Sequence, residues 1–292
     1  MIRYSIKDLE KITGIKAHTI RIWEKRFGIV APLRTQTNIR YYSDEDLRRL
    51  MNVAILNKYG YKISNIQSMS AAELNACVMD LTHQDIDNDH QVDNLVMAMI
   101  ELDELRFDKI ISSSIIKQGF DYTFENLLFK FFEKIGILWQ IGAVNPVQEH
   151  FISHLIRQKL IMAIDGQQIY VNNYKTFLLF LPENEYHEIA LLYLQFLIRK
   201  EGHQVIYLGQ NVPLIHLKNV FEIHHVDYLV TSVASKLPAE IIEDMLNEFS
   251  QLYGDKQILI GGNCLSELSV SIPGNVKSFN SLVDFLEFLK KI

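Results

Sequence analysis

From Tyr4 to Leu50 the chain reads YSIKDLEKITGIKAHTIRIWEKRFGIVAPLRTQTNIRYYSDEDLRRL. Ser5 is placed as an N-cap with Asp8 at the third helical position, and Ile6, Leu9 and Ile12 recur three apart. Ser5 to Thr13 is therefore expected to form a short helix that Gly14 ends. A second helix is expected from about Ala17 to Arg26, with Ile20 and Trp23 on its apolar stripe and Gly28 as its stop. Helix, glycine, helix at this spacing fits a helix-turn-helix. Pro32 to Tyr42 is polar and basic. Ser43 then caps a third helix, with Asp44, Glu45 and Asp46 in its first turn and Leu47, Leu50, Val53 and Leu56 as its core face. A fourth helix is expected from about Ile63. Arg21, Lys25 and Arg26 share the exposed side of the second helix, opposite Ile20, and Arg34, Arg40, Tyr41 and Tyr42 follow in a basic, aromatic loop. A recognition helix in a major groove, beside a wing that clamps phosphates, needs such residues.

The charge distribution agrees. Residues 1–50 carry eleven Lys/Arg against six Asp/Glu, whereas the whole 292-residue chain has a formal net charge of -6. A basic head on an acidic body suits a chain that meets a polyanion only through its head. Two cysteines, Cys77 and Cys264, form neither a disulfide framework nor a four-thiolate zinc site, and imply reduced thiols in a cytoplasmic protein. The first residues carry charges where a signal peptide needs an apolar core, and no apolar run reaches the ~18 residues of a membrane span.

Beyond the head, THQDIDNDHQVDN (82–94) is polar and acidic and reads as a linker or a loosely ordered turn. From Leu95 to about Ile164 the pattern is helical with large apolar faces, broken at Gly119 and at Gly142 to Pro146, as in a four-helix bundle. After Lys175 the rhythm changes. TFLLFLP, QVIYLG, DYLVTS, QILIGG and VKSF read as strands separated by helical stretches, the pattern of a doubly wound parallel sheet. Ligands in such folds sit at the carboxyl ends of the strands, here Pro182 to His187, Leu208 to Pro213, Ser232 to Ser235 and Gly261 to Asn263. The expected architecture is thus multidomain α and α/β. It comprises a winged helix-turn-helix (1–75), a linker (76–94), a helical bundle (95–170) and a C-terminal Rossmann-like domain (175–292).

The head resembles the MerR family of regulators along its whole length, through Thr19-Ile20-Arg21, Trp23-Glu24, Pro32 with Arg34, and Arg40-Tyr41-Tyr42 ahead of Asp46-Leu47. That resemblance implies that Arg21, Arg34, Arg40 and Tyr42 meet double-stranded promoter DNA, that Ile20 and Trp23 are core, and that the chain pairs with itself as a dimer, with a tetramer also open. A metal-sensing member would need paired thiolates after the long dimer helix, and Cys77 stands alone there.

Glu185-Tyr186-His187 follows the TFLLFLP strand. A histidine on a strand-to-helix loop is placed to ligate a metal through one imidazole nitrogen while a carboxylate holds the other. Taken alone, this reading competes with that of an ordinary surface histidine. Its surroundings, PENEYHEIALLYLQFLIRKEGHQVIYLGQNVP with TSVAS and IGGN downstream, resemble the cobalamin-binding domain of methionine synthase, mutases and related sensors. There an Asp-x-His-x-x-Gly, a Ser-x-Leu and a Gly-Gly pair hold the cofactor. The counterparts here are Glu185, His187 and Ala190, then Ser232-Val233-Ala234, then Gly261-Gly262. The resemblance implies that His187 is the lower cobalt ligand, that Ser232 hydrogen-bonds the nucleotide tail, and that the two glycines let the tail pass. Asn184 and Ala190 stand where the pattern has glycine. Trp139, followed by Glu149-His150, resembles the bundle of cobalamin-dependent MerR-type photoreceptors. This implies that these three residues face the upper, adenosyl side of adenosylcobalamin. Gln140 stands where such relatives often carry a histidine, leaving His150 as the substitute imidazole.

The sequence thus reads as a cofactor-controlled transcription regulator, a repressor with light as its signal. The alternative is a cofactor-independent regulator whose last domain serves oligomerisation or partner binding. An enzyme is disfavoured, since no substrate barrel fits the length and no acid–base pair is evident.

Overall fold

A computed structural model describes residues 3–35, 38–81, 88–140, 142–167, 174–235, 238–262 and 271–292. Cys264 and Asn263 lie outside the described residues. The chain divides into two compact units, Met1–Leu155 and Ile156–Ile292.

The first unit opens with α1 (Ile6–Thr13) and α2 (Ala17–Phe27). Ser5 and Asp8 form the expected capping box on α1. Gly14 and Gly28 end the two helices at φ of +71° and +62°, left-handed values that glycine adopts without steric cost. The short strands β1 (Leu33–Arg34) and β2 (Arg40–Tyr41) pair antiparallel as a wing. A second capping box, Ser43 with Asp46, starts α3 (Asp44–Lys58). The fourth helix is a single turn, α4 (Ile63–Ile66), and α5 (Ala71–Leu81) follows it.

Two stretches of the expected 76–94 linker are helical. Residues 76–81 belong to α5 and 88–94 to α6 (Asn88–Glu101), and only 82–87 lie outside the described residues. The acidic side chains are the reason. Asp93 is 7% exposed and takes Lys58 Nζ of α3 at 2.5 Å and Lys134 Nζ on its other oxygen, so a charge that reads as solvated instead joins the head to the bundle. The bundle continues with α7 (Glu104–Gln118), then α8 (Phe120–Tyr122), which runs through a π turn (Thr123–Leu128) into α9 (Phe129–Gln140), then α10 (Pro146–Asp165). Arg106 is buried and donates to Glu101 at 3.1 Å and Asn94 at 2.7 Å. Tyr4 ties the head to the turn after α9 by donating to Asp44 at 2.9 Å and to the Ala143 carbonyl at 3.4 Å.

The second unit, which starts within α10, holds a five-stranded parallel sheet in the order β4-β3-β5-β6-β7. Its elements are β3 (Thr176–Pro182), α11 (Ile189–Lys200), β4 (Gln204–Val212), a 3-10 turn (Leu214–Leu217) leading into α12 (Lys218–Ile223), β5 (Tyr228–Ser232), α13 (Ala239–Leu252), β6 (Gln257–Gly261), β7 (Val276–Phe279) and α14 (Leu282–Leu289). All seven residues of β3 are buried, which explains its unbroken apolar run. The chain leaves β3 towards β4 and then returns to build β5 on the opposite side. The order therefore reverses at β3, which makes the loops after β3 and β5 the switch point where ligands of such sheets bind. Among the described residues, no helix is long and apolar enough to cross a membrane.

Candidate functional site

In the head, Ile20 and Trp23 turn inward while Arg21, Lys25 and Arg26 are exposed, so α2 presents a continuous basic face. Arg34 and Arg40 are direct cross-strand partners in the wing, and both are exposed. Like charges in that register repel. Here each has a local partner: Arg34 Nη1 donates to Asn38 Oδ1 at 2.7 Å, and Arg40 Nε lies 3.4 Å from Glu24 Oε1. Tyr41 is half-buried beneath the Arg3 guanidinium, 4.8 Å from its ring centre.

Tyr42 departs from its expected role at DNA. Its ring is 0% exposed, its backbone bridges Tyr4, and its hydroxyl donates to Glu24 Oε2 at 3.2 Å. Burial, then Glu24, pushes its pKa up to about 12. The tyrosine is core because the wing has to close over α2. Glu24, given no role by sequence, holds both Tyr42 and Arg40 and so fixes the wing against the helix. Its position one residue after Trp23 was the available signal.

On the bundle, Trp139 is 49% exposed and is therefore not the core tryptophan that its size would favour. Asn145 and Gln148 cap the start of α10 reciprocally. In its first turn Glu149 accepts from Ser153 at 3.0 Å and meets His150 Nδ1 at 3.2 Å. Gln140 is exposed at the end of α9.

In the second unit Glu185 is 3% exposed and receives five N–H groups at the strand ends. Oε1 accepts from the amides of Tyr186 at 2.9 Å and His187 at 3.0 Å, and from His187 Nδ1 at 2.6 Å. Oε2 accepts from the amides of Ala234 at 3.0 Å and Ser235 at 2.9 Å, so one carboxylate joins the loops after β3 and β5 across the switch point. Burial pushes this carboxyl up, but the donors from Ser235 and His187 outweigh it and hold the pKa at about 2. An ionised carboxylate only accepts. His187 Nδ1 therefore carries the ring proton, and the Nε2 lone pair is left on a ring that is 65% exposed. That is the donor geometry of a carboxylate–histidine–metal triad.

The loop is held from below. Asn184 adopts φ +64°, the left-handed region in which asparagine can stand in for glycine, and its amide donates to Asn211 Oδ1 at 2.9 Å. Glu188 takes Arg157 Nε at 2.5 Å and the Tyr207 hydroxyl at 3.1 Å, which ties the start of α11 to α10 and β4. Sequence reading missed both contacts, because neither partner is near in sequence. Ala190 lies exposed on α11, so its methyl displaces nothing in this fold.

Ser232, Gly261 and Phe279 are register partners across β5, β6 and β7. Both glycines, expected to let the nucleotide tail pass close to backbone, also have close neighbours within the chain. A Cβ on Gly261 would lie 2.4 Å from the Phe279 ring, and one on Gly262 would lie 2.1 Å from the Val233 carbonyl oxygen. The Val233 backbone requires glycine at 262, whereas the neighbour of Gly261 is a side-chain ring that can move. The Glu185–His187 donor set fits the lower side of a corrinoid. Thr231 Oγ1, buried at the same strand end, has no hydrogen-bond partner among the described residues.

Comparison with known proteins agrees with this layout. Residues 4–73 match the MerR HTH family regulatory protein and residues 91–163 the B12 binding domain. The chain is 24% identical over 254 residues to the HTH-type transcriptional repressor CarH of Myxococcus xanthus, covering 85% of this chain and 84% of that one. It is 24% identical over 247 residues to the repressor CarA of the same organism, covering 82% and 81%. The monomethylamine corrinoid protein of Methanosarcina barkeri shares the fold, with a TM-score of 0.53 at 12% identity over 70% of this chain and 100% of that one. The chain thus joins a MerR-type helix-turn-helix to a B12-binding region and is homologous to the CarH and CarA repressors.

Proposed function

We propose that this protein is a DNA-binding transcription regulator controlled by cobalamin, acting as a repressor in the cytoplasm. It is not an enzyme. The observation that carries the reading is the Glu185–His187 pair at the strand switch point, on the same chain as a basic winged helix-turn-helix. Arg21, Lys25, Arg26, Arg34, Arg40 and Tyr41 supply the DNA surface, through phosphate contacts that make affinity fall steeply with salt. His187 Nε2 is the lower cobalt ligand, oriented by Glu185. Ser232 hydrogen-bonds the nucleotide tail beside Gly261 and Gly262. Trp139, Glu149 and His150 serve the upper side of the cofactor, a role the exposure of Trp139 supports. Adenosylcobalamin supplies a light-cleavable cobalt–carbon bond when bound. The chain binds DNA as a dimer or tetramer, and linked heads grip promoter DNA more tightly than one pair. A cofactor shifts that assembly only through its different affinity for the two states.

The test is an absorption spectrum of protein mixed in the dark with adenosylcobalamin, desalted, then illuminated. Dark and light DNA binding follow on the same sample. The expected result is retained cofactor with a base-off spectrum that changes on illumination, together with weaker DNA binding in the light. A His187→Ala protein that retained the same affinity and spectrum would overturn the ligand assignment.

A further inference from the structure

Phe279 shares a strand-end row with Ser232 and Gly261, the residues assigned above to the nucleotide tail. In a parallel sheet, register partners point to the same face, and Ser232, Gly261 and Phe279 form one row at the strand ends. The ring covers Gly261 so closely that Cε2 and Cζ would both lie 2.4 Å from a Cβ there. Phe285 of α14 flanks it at a centroid distance of 5.0 Å. The ring is only half-buried, so part of it already faces solvent.

We infer that Phe279 is an aromatic gate over the row Ser232–Gly261–Phe279, which a corrinoid with a nucleotide tail has to displace and a corrinoid without one leaves in place. The inference rests on the cobalamin reading above and adds a residue that sets which corrinoid is favoured. Contact with Phe285 and with the Gly261 backbone is lost when the ring swings out. That loss weakens binding of the complete cofactor by roughly three- to tenfold relative to an ungated site. The nucleotide-free corrinoid, which has no tail to place along this row, escapes the penalty.

The experiment titrates the full chain with hydroxocobalamin and with cobinamide, its nucleotide-free analogue, following the absorption spectrum and the dissociation constant. Wild type, Phe279→Ala and Phe279→Leu are compared, the leucine variant keeping an apolar filler should alanine unfold the domain. Expected is a Kd for hydroxocobalamin about three- to tenfold lower in the variants, with cobinamide affinity within about twofold of wild type. Equal shifts for both corrinoids, or no shift for either, would overturn the gate while leaving cobalamin binding in place. Wild type that retains neither corrinoid would overturn the cobalamin reading and the gate with it.

Discussion

Replacing Glu185 by glutamine tests the centre of the site. The carboxylate accepts five N–H groups on two oxygens. An amide offers one oxygen and one NH2. If its oxygen keeps the Tyr186–His187 side, the NH2 faces the amides of Ala234 and Ser235. In the reverse orientation it faces Tyr186, His187 and the imidazole. At least two N–H groups lose their acceptor either way. A buried donor left unsatisfied costs about 1–3 kcal/mol, so the loss for two is roughly 2–6 kcal/mol, with the lower end favoured because the adjoining loop is exposed to water. About 2 kcal/mol corresponds to roughly thirtyfold more frequent local opening. Hydrogen exchange followed by mass spectrometry on the cofactor-free full chain reads this directly. The side that loses its acceptor, the segment containing Ala234 and Ser235 or the one containing Tyr186 and His187, should exchange about thirtyfold faster in E185Q, under conditions where reclosing outpaces exchange. Hydroxocobalamin affinity should fall by about 10–100-fold, since Nδ1 is no longer held by a charge. Wild-type exchange rates at both 186–187 and 234–235 would refute the claim that this carboxylate joins the two loops.

Tyr42→Phe should lower stability by about 1 kcal/mol in urea unfolding and leave the salt dependence of DNA affinity unchanged, because the hydroxyl serves Glu24 rather than DNA. The Tyr42 pKa is raised to about 12, so its neutral form favours the fold. That stability is intact below about pH 10 and is lost as pH rises through about 12, and an alkaline unfolding titration should show less of this loss in Y42F. Arg21→Ala should reduce the slope of log affinity against log salt by about 1 in a binding titration, and an unchanged slope would remove Arg21 from the phosphate contacts. Gly262→Ala places a Cβ 2.1 Å from the Val233 carbonyl oxygen at φ +139°. It should cost about 3 kcal/mol or more, visible as a fall in Tm, and a wild-type melting curve would show that this backbone can yield.

The local rules were written in the sequence because they are local. Ser5 with Asp8 and Ser43 with Asp46 closed their capping boxes, Gly14 and Gly28 ended their helices, and the period change after Lys175 announced a parallel sheet, since each depends on residues within a turn or a strand. His187 beside Glu185 was visible for the same reason. Long-range partners decided the rest. Tyr42 reads as a wing aromatic until Tyr4 and Glu24 close around it. The acidic 88–94 stretch reads as linker until Lys58 and Lys134, 35 and 41 residues away from Asp93, neutralise it within a helix. Gly261 reads as space for a ligand until strand register lays Phe279 across it. A sequence records which groups a chain owns and how neighbours cap and break its helices. Which charges are buried in pairs, and which gaps are already filled, follows only once distant segments compete for the same volume.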